Sequence, residues 1–173
     1  TALWASSEYD KGDIIAQETV DITYPIKIGE AIEKIAPLYG NLTCIILEKI
    51  NKEEKITSVC QLEKEASYSL WRDKEDYRIS WSDSAENISR FIHAVGYPYE
   101  GAEALVNGEI VKIFDCETVP DVNVEIRQIG KVIFISDGCP VIVCGKGLLK
   151  VKEMQDKKGT SLLPLKRFRS RFT

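Results

Sequence analysis

Apolar residues recur along this chain in two periods, and the change of period divides it. A short apolar run, Ala2, Leu3, Trp4 and Ala5, precedes a β-like run at 14–20. Between them lies Ser7-Glu8-Tyr9-Asp10-Lys11-Gly12-Asp13, a polar turn joining two strands. Gly12 permits a positive φ there, or a close backbone approach that a side chain would block. Ile28, Ala31, Ile32, Ile35, Leu38, Leu42, Ile45 and Ile46 then fall at helical spacing. Pro37 and Gly40-Asn41 interrupt the pattern, which predicts one bent helix or two short ones docked on a sheet. A brief strand is expected at 57–62. Residues 63–83 lack a period but are rich in rings and charges, as in a segment crossing a surface.

Ser82, Asp83 and Ser84 are candidate N-caps for a second helix, whose stripe is Ile88, Phe91, Ile92 and Val95. Gly96 closes it and Pro98 prevents its continuation. Beyond residue 102 the period is that of strands. Runs at 104–106 and 110–113 flank Asn107-Gly108, the strongest short hairpin signal. Further strands are expected at 122–126, 131–136, 141–144 and 148–152, giving a small antiparallel barrel or sandwich. The predicted organisation is therefore 1–83, a strand-turn-strand-helix part with no core of its own, and 84–173, a helix followed by a small β domain.

Composition adds little until its distribution is considered. The net charge is −4, with 44% apolar and 29% charged residues, a globular balance. Residues 1–97 carry 11 Lys+Arg against 17 Asp+Glu, and residues 98–173 carry 12 against 10. That balance argues against a nucleic-acid partner, whose phosphates would need a strongly basic face. The one basic stretch is Lys157, Lys158, Lys166, Arg167, Arg169 and Arg171, read as a solvated tail. Five scattered cysteines without a C-x-x-C pair, and one histidine, argue against a metal site and for buried free thiols. No apolar run reaches membrane-span length and no signal pattern opens the chain, so a cytoplasmic protein is expected. His93 reads as a structural histidine, and Gly145-Lys146-Gly147 as a hairpin turn.

The order of motifs carries more information than any one of them. Asp10-x-Gly12-Asp13-Ile14-Ile15-x-Gln17, Gln61 with Ala66 and Tyr68, Ile79-x-Trp81, Ala85-x-x-Ile88-x-Arg90-Phe91-Ile92-x-Ala94 and Pro98-Tyr99-x-Gly101-Ala102 follow one another along the chain. In that order they resemble the formyltransferases that use 10-formyltetrahydrofolate. The resemblance implies an α/β fold: the C-terminal part of a Rossmann-like formyltransferase domain plus a small, mostly antiparallel β C-terminal domain. It also implies a formyltransferase enzyme with no metal. Within the family, Ser69-Leu70-Trp71-Arg72-Asp73-x-x-Asp76-Tyr77-x-Ile79 and the ending Phe168-Arg169-Ser170-Arg171-Phe172 are similar to the branch that formylates nucleotide-linked amino sugars, dTDP-linked ones first. The alternatives are methionyl-tRNA formylation and a non-catalytic binding module of the same fold. The family's Asn-x-His motif has no counterpart here, so this chain by itself is expected to be inactive.

The resemblance assigns roles residue by residue. Asp10 matches the catalytic carboxylate, which orients a histidine base and raises its pKa. Ser7, Glu8 and Tyr9 match the loop whose backbone meets the pterin ring of the formyl donor. Tyr97 and Tyr99, flanking Pro98, suit stacking on a nucleotide base. Trp71 and Arg72 suit the pyrophosphate, since a guanidinium binds phosphate bidentately. The edge strands of the β domain suggest a homodimer.

Overall fold

The computed structural model describes residues 1–173, which fall into two compact units: Thr1–Tyr24 with Glu30–Trp71, and Pro25–Gly29 with Arg72–Thr173. Residues 72–83, assigned to the first part on sequence pattern, pack in the second unit. Ile79 and Trp81 are buried in its core, and the Ile79 N–H donates to the Glu103 carbonyl at 2.8 Å.

In the first unit, β1 (Ala2–Leu3) and β2 (Ile14–Ala16) pair antiparallel. The expected strand at 57–62 reduces to one bridge, where Ile14 and Val59 exchange both backbone bonds. The long element is α1 (Ile28–Asn51), and it differs from expectation in being one helix with Pro37 inside it. Proline removes one amide donor and glycine costs about 1 kcal/mol in a helix interior, yet the apolar stripe runs on across both. That stripe is not docked on a sheet. Only Ala31 and Leu42 of α1 are buried, while Ile45, Leu47 and Ile50 are exposed.

The second unit is built around one antiparallel sheet with strand order β3-β4-β7-β6-β5. The strands are β3 (Ala102–Val106), β4 (Glu109–Val119), β5 (Val132–Ser136), β6 (Cys139–Val143) and β7 (Leu148–Gln155). The β3–β4 turn is Asn107-Gly108 with φ of 52° and 90°, the left-handed pair that a two-residue hairpin of right-twisted strands requires. No strand forms at 122–126. The segment is instead tied to the β6–β7 turn by its flanking charges. Arg127 donates to the carbonyls of Cys144 (2.9 Å) and Gly147 (2.6 Å), and Asp121 accepts from the Gly147 N–H at 3.1 Å. Gly145 is forced by contact: a Cβ there would lie 1.8 Å from the Ser82 carbonyl oxygen.

Helix α2 (Ala85–Val95) lies against β4. Its N-cap is Ser84, whose Oγ accepts from the Asn87 N–H at 3.2 Å. The stripe read from the sequence is the buried one, with Ile88, Ile92 and Val95 all below 4% exposure. They meet Val111, Ile113, Leu149, Val151 and Met154 in the main core.

The basic tail is not solvated backbone. Its last residues pair with both edges of the sheet: Phe172 with Val106 of β3, and Arg171 with Lys131 beside β5. Leu105 and Thr173 exchange backbone bonds at 2.7 and 2.9 Å, while the Phe172 N–H donates to Gly130 at 2.7 Å. The tail thus links the end of β3 to the start of β5 and closes the sheet on itself there, while the outer part of β5 pairs only with β6. Phe172 is 1% exposed and meets Trp81 edge-on at 5.5 Å.

Candidate functional site

Ser7, Glu8, Tyr9 and Asp10 share one exposed loop between β1 and β2. Two features hold its far end. Gly12 packs so tightly on the preceding chain that a Cβ would lie 1.7 Å from the Trp4 carbonyl oxygen. Gln61 reaches across and donates its side-chain amide to the carbonyls of both Asp10 and Gly12, each at 2.7 Å. Gln61 was part of the sequence resemblance, but its role as the clamp of this loop is visible only in three dimensions. Nearby, Lys11 pairs with Glu63, which also accepts from the Tyr68 hydroxyl at 3.1 Å. The hydrogen bond between Lys11 and Glu63 raises the lysine pKa and lowers that of the glutamate.

Asp10 itself has φ of 57°. Aspartate tolerates this left-handed conformation better than most residues, and it turns the chain so that the backbone carbonyl faces Gln61. The carboxylate is exposed and takes part in no hydrogen bond or ion pair within the chain. A carboxylate fixed at its backbone and free at its oxygens is suited to act on a group brought to it. The backbone groups of Ser7 and Tyr9 are likewise without partners, and the Tyr9 ring is fully exposed.

Trp71 closes the first unit and is 82% exposed. Arg72, Tyr97 and Tyr99 belong to the second unit. The Arg72 guanidinium carbon lies 5.9 Å from the Phe91 ring centroid, a cation–π contact made by the charged group itself, on a residue that is exposed. Tyr97 is stacked on Phe114, with centroids 4.3 Å apart and planes 11° from parallel. Its hydroxyl donates to Glu153 at 3.0 Å and accepts from Gln155 at 2.7 Å. One face of that ring is therefore taken by Phe114. Tyr99 is half-exposed, with its backbone fixed by a bond to Gly96 at 2.8 Å. The structure brings the four loop residues together and places the others as described in the second unit and at the end of the first.

The second unit also holds a charge cluster on α2 and β4. Asp115, at an irregularity in the β4 ladder, accepts from Lys27 at 2.8 Å and faces His93 at 3.4 Å and Lys152 at 3.8 Å. Burial pushes the Asp115 carboxyl up, but the Lys27 bond and the neighbouring cations outweigh it and hold the pKa below the usual range. His93 is buried in this cluster, as a structural residue. The thiols divide. Cys116 and Cys144 are buried and pushed up to about 12 by desolvation. Cys44 and Cys60, expected inside, are exposed. No group of three His, Cys, Asp or Glu side chains is placed to hold a metal ion, and no helix is long and apolar enough to cross a membrane.

Comparison with known proteins extends this picture. Residues 72–170 match the family described as formyl transferase, C-terminal domain. The methionyl-tRNA formyltransferase of Syntrophomonas wolfei is 31% identical over 173 residues, covering 100% of this chain and 54% of that protein. The methionyl-tRNA formyltransferase of Ralstonia nicotianae is 29% identical over 168 residues, covering 97% and 50%. The chain thus spans about half the length of the curated relatives it matches. Among solved structures, HypX from Aquifex aeolicus in complex with tetrahydrofolic acid aligns with a TM-score of 0.66 at 23% identity, over 92% of this chain and 27% of that one.

Proposed function

This chain belongs to the formyltransferase family, and from that premise we propose that it serves the transfer of a formyl group from 10-formyltetrahydrofolate to the amino group of methionyl-tRNA. The observation that carries the acceptor is the likeness along the whole chain to methionyl-tRNA formyltransferases. It replaces the nucleotide-linked amino sugar as the first reading. A solved neighbour that holds tetrahydrofolic acid supports a folate donor.

In this reading the amine attacks the formyl carbonyl, and a tetrahedral oxyanion forms before tetrahydrofolate leaves. Such a step needs an oriented base for the amine proton and donors for the oxyanion. Asp10 is the residue of this chain suited to orient the base, and Ser7, Glu8 and Tyr9 present their backbone to the donor's ring. The Asn-x-His pair that the family resemblance requires is not in this sequence, so the activity belongs to a protein that supplies it.

The amino-sugar acceptor stands as the second reading, favoured by charge. Residues 72–173 carry 16 Lys+Arg against 15 Asp+Glu, a weak field for a polyanion as large as tRNA. The deciding experiment gives the full-length protein labelled 10-formyltetrahydrofolate with either charged initiator tRNA or a dTDP-linked amino sugar. Label on the tRNA supports the first reading; label on the sugar alone replaces it by the second. In the active pairing, Asp10→Asn should lower kcat by about a hundredfold or more with the fold intact. Turnover within a few-fold of the unaltered protein would remove Asp10 from the mechanism.

A further inference from the structure

The stretch 58–63 runs beside the Asp10 turn and ties it residue by residue. Val59 exchanges both backbone bonds with Ile14, at 2.8 and 2.9 Å. The Ser58 hydroxyl donates to the Asp13 carboxylate at 3.4 Å, and Glu63 pairs with Lys11. Gln61 takes the two remaining positions, the carbonyls of Asp10 and Gly12. Each of residues 10–14 therefore has a partner between 58 and 63. None of these ties reaches Ser7, Glu8 or Tyr9. That half of the loop is held on its own side, where the Ser6 hydroxyl donates to the Glu8 carbonyl at 2.6 Å.

Among these ties, the one from Gln61 acts on the backbone of Asp10 itself. Its amide nitrogen carries two hydrogens, and a carbonyl only accepts, so each N–H is used once. Two carbonyls separated by one residue converge on a single atom only if the chain turns between them. That turn is the left-handed backbone of Asp10, at φ of 57°. Few residues other than glycine hold such a conformation, and an aspartate released from it returns to negative φ. Its carboxylate would swing with the backbone, since nothing else in the chain holds those oxygens. A reacting arrangement displaced by about 1 Å can lose about a hundredfold in rate.

We infer that Gln61 is a positioning residue for formyl transfer: it acts through Asp10, by holding the turn that aims the carboxylate, and touches neither substrate. The inference rests on the role given to Asp10 under the proposed function. It divides the loop by task, with residues 10–12 set from Gln61 for the chemical step and residues 7–9 set from Ser6 for the donor.

The test uses the full-length protein with the acceptor that gives turnover, and single-turnover kinetics for slow variants. Gln61→Glu keeps the size of the side chain but sets an oxygen against two carbonyl oxygens. Gln61→Met removes the donor without adding a charge, and serves if the glutamate variant fails to fold. Either should lower kcat by about tenfold to a hundredfold. KM for 10-formyltetrahydrofolate should stay within about threefold, because the donor half of the loop is held separately. In an Asp10→Asn background the same substitutions should cost less than about threefold, since no carboxylate is left to aim. A merely structural glutamine would cost the same in both backgrounds, and that result overturns the inference. So does a Gln61→Met variant with kcat within about threefold of the unaltered protein, or a loss confined to KM. Near-normal turnover of Asp10→Asn alone would instead remove the reading of Asp10, and the role of Gln61 with it.

Discussion

Phe172→Ala tests whether the C-terminal tail is structural. The wild-type ring is 1% exposed, packed edge-on against Trp81 and inside the main core. Removing a buried phenylalanine side chain costs about 3–5 kcal/mol, as lost transfer energy plus the cavity left behind. The backbone bonds of Phe172 and Thr173 to Gly130 and Leu105 survive the substitution, so about 3–4 kcal/mol is the expected loss. Against a total of about 5–15 kcal/mol for a domain this is severe, equivalent to a fall in Tm of about 12–30 °C. The assay is urea unfolding followed by the fluorescence of Trp81, which is 5% exposed, in a background with Trp4 and Trp71 replaced by Phe. Those two residues are exposed and would otherwise blur the signal. Phe172→Leu keeps most of the apolar volume and should lose much less than the alanine variant. A loss below about 1 kcal/mol for Phe172→Ala would refute this closure of the sheet and restore the solvated tail.

Three further outcomes are expected. Gly12→Ala must displace the Trp4 carbonyl, since its Cβ would lie 1.7 Å from that oxygen; the Trp4 N–H, bonded to Asp13 at 3.0 Å, should lose hydrogen-exchange protection, and unchanged protection would count against the close approach. Alkylation of the native chain followed by mass spectrometry should modify Cys44 and Cys60 first and spare Cys116 and Cys144, whose thiols sit near 12; labelling of Cys116 at the rate of Cys44 would contradict the core described. Asp115→Asn should destabilise the second unit by about 1 kcal/mol at pH 7, because Lys27 and Lys152 are partly solvated and screen the loss. The Asp115 pKa is lowered in the fold, so its contribution is complete above the unfolded value near pH 4 and is lost as pH falls through the lower folded value; a wild-type minus variant difference that persists unchanged to pH 2 would disprove the assignment.

The sequence by itself determined what depends on neighbours in the chain. The stripe Ile88, Ile92, Val95 and the Ser84 cap specify α2 because helical period and capping are local properties. Asn107-Gly108 specifies its hairpin because only a left-handed residue pair matches the strand twist. Gly12 was legible as a position needing either a positive φ or a close approach, of which the structure shows the close approach, and the ordered motifs as a formyltransferase resemblance. Tertiary structure decided what depends on distant partners. Residues 121–127 alternate like a strand, but Asp121 and Arg127 find their partners on the β6–β7 turn. Arg169 and Arg171 look like any solvated basic tail until Phe172 is buried against Trp81 and the backbone joins β3 to the start of β5. Burial of Cys116 but not Cys44 follows from which face of each element meets a neighbour. The Asp10 loop needed both levels. Its carboxylate and glycine were readable in sequence, while the clamp from Gln61, some fifty residues away, exists only once the chain has folded.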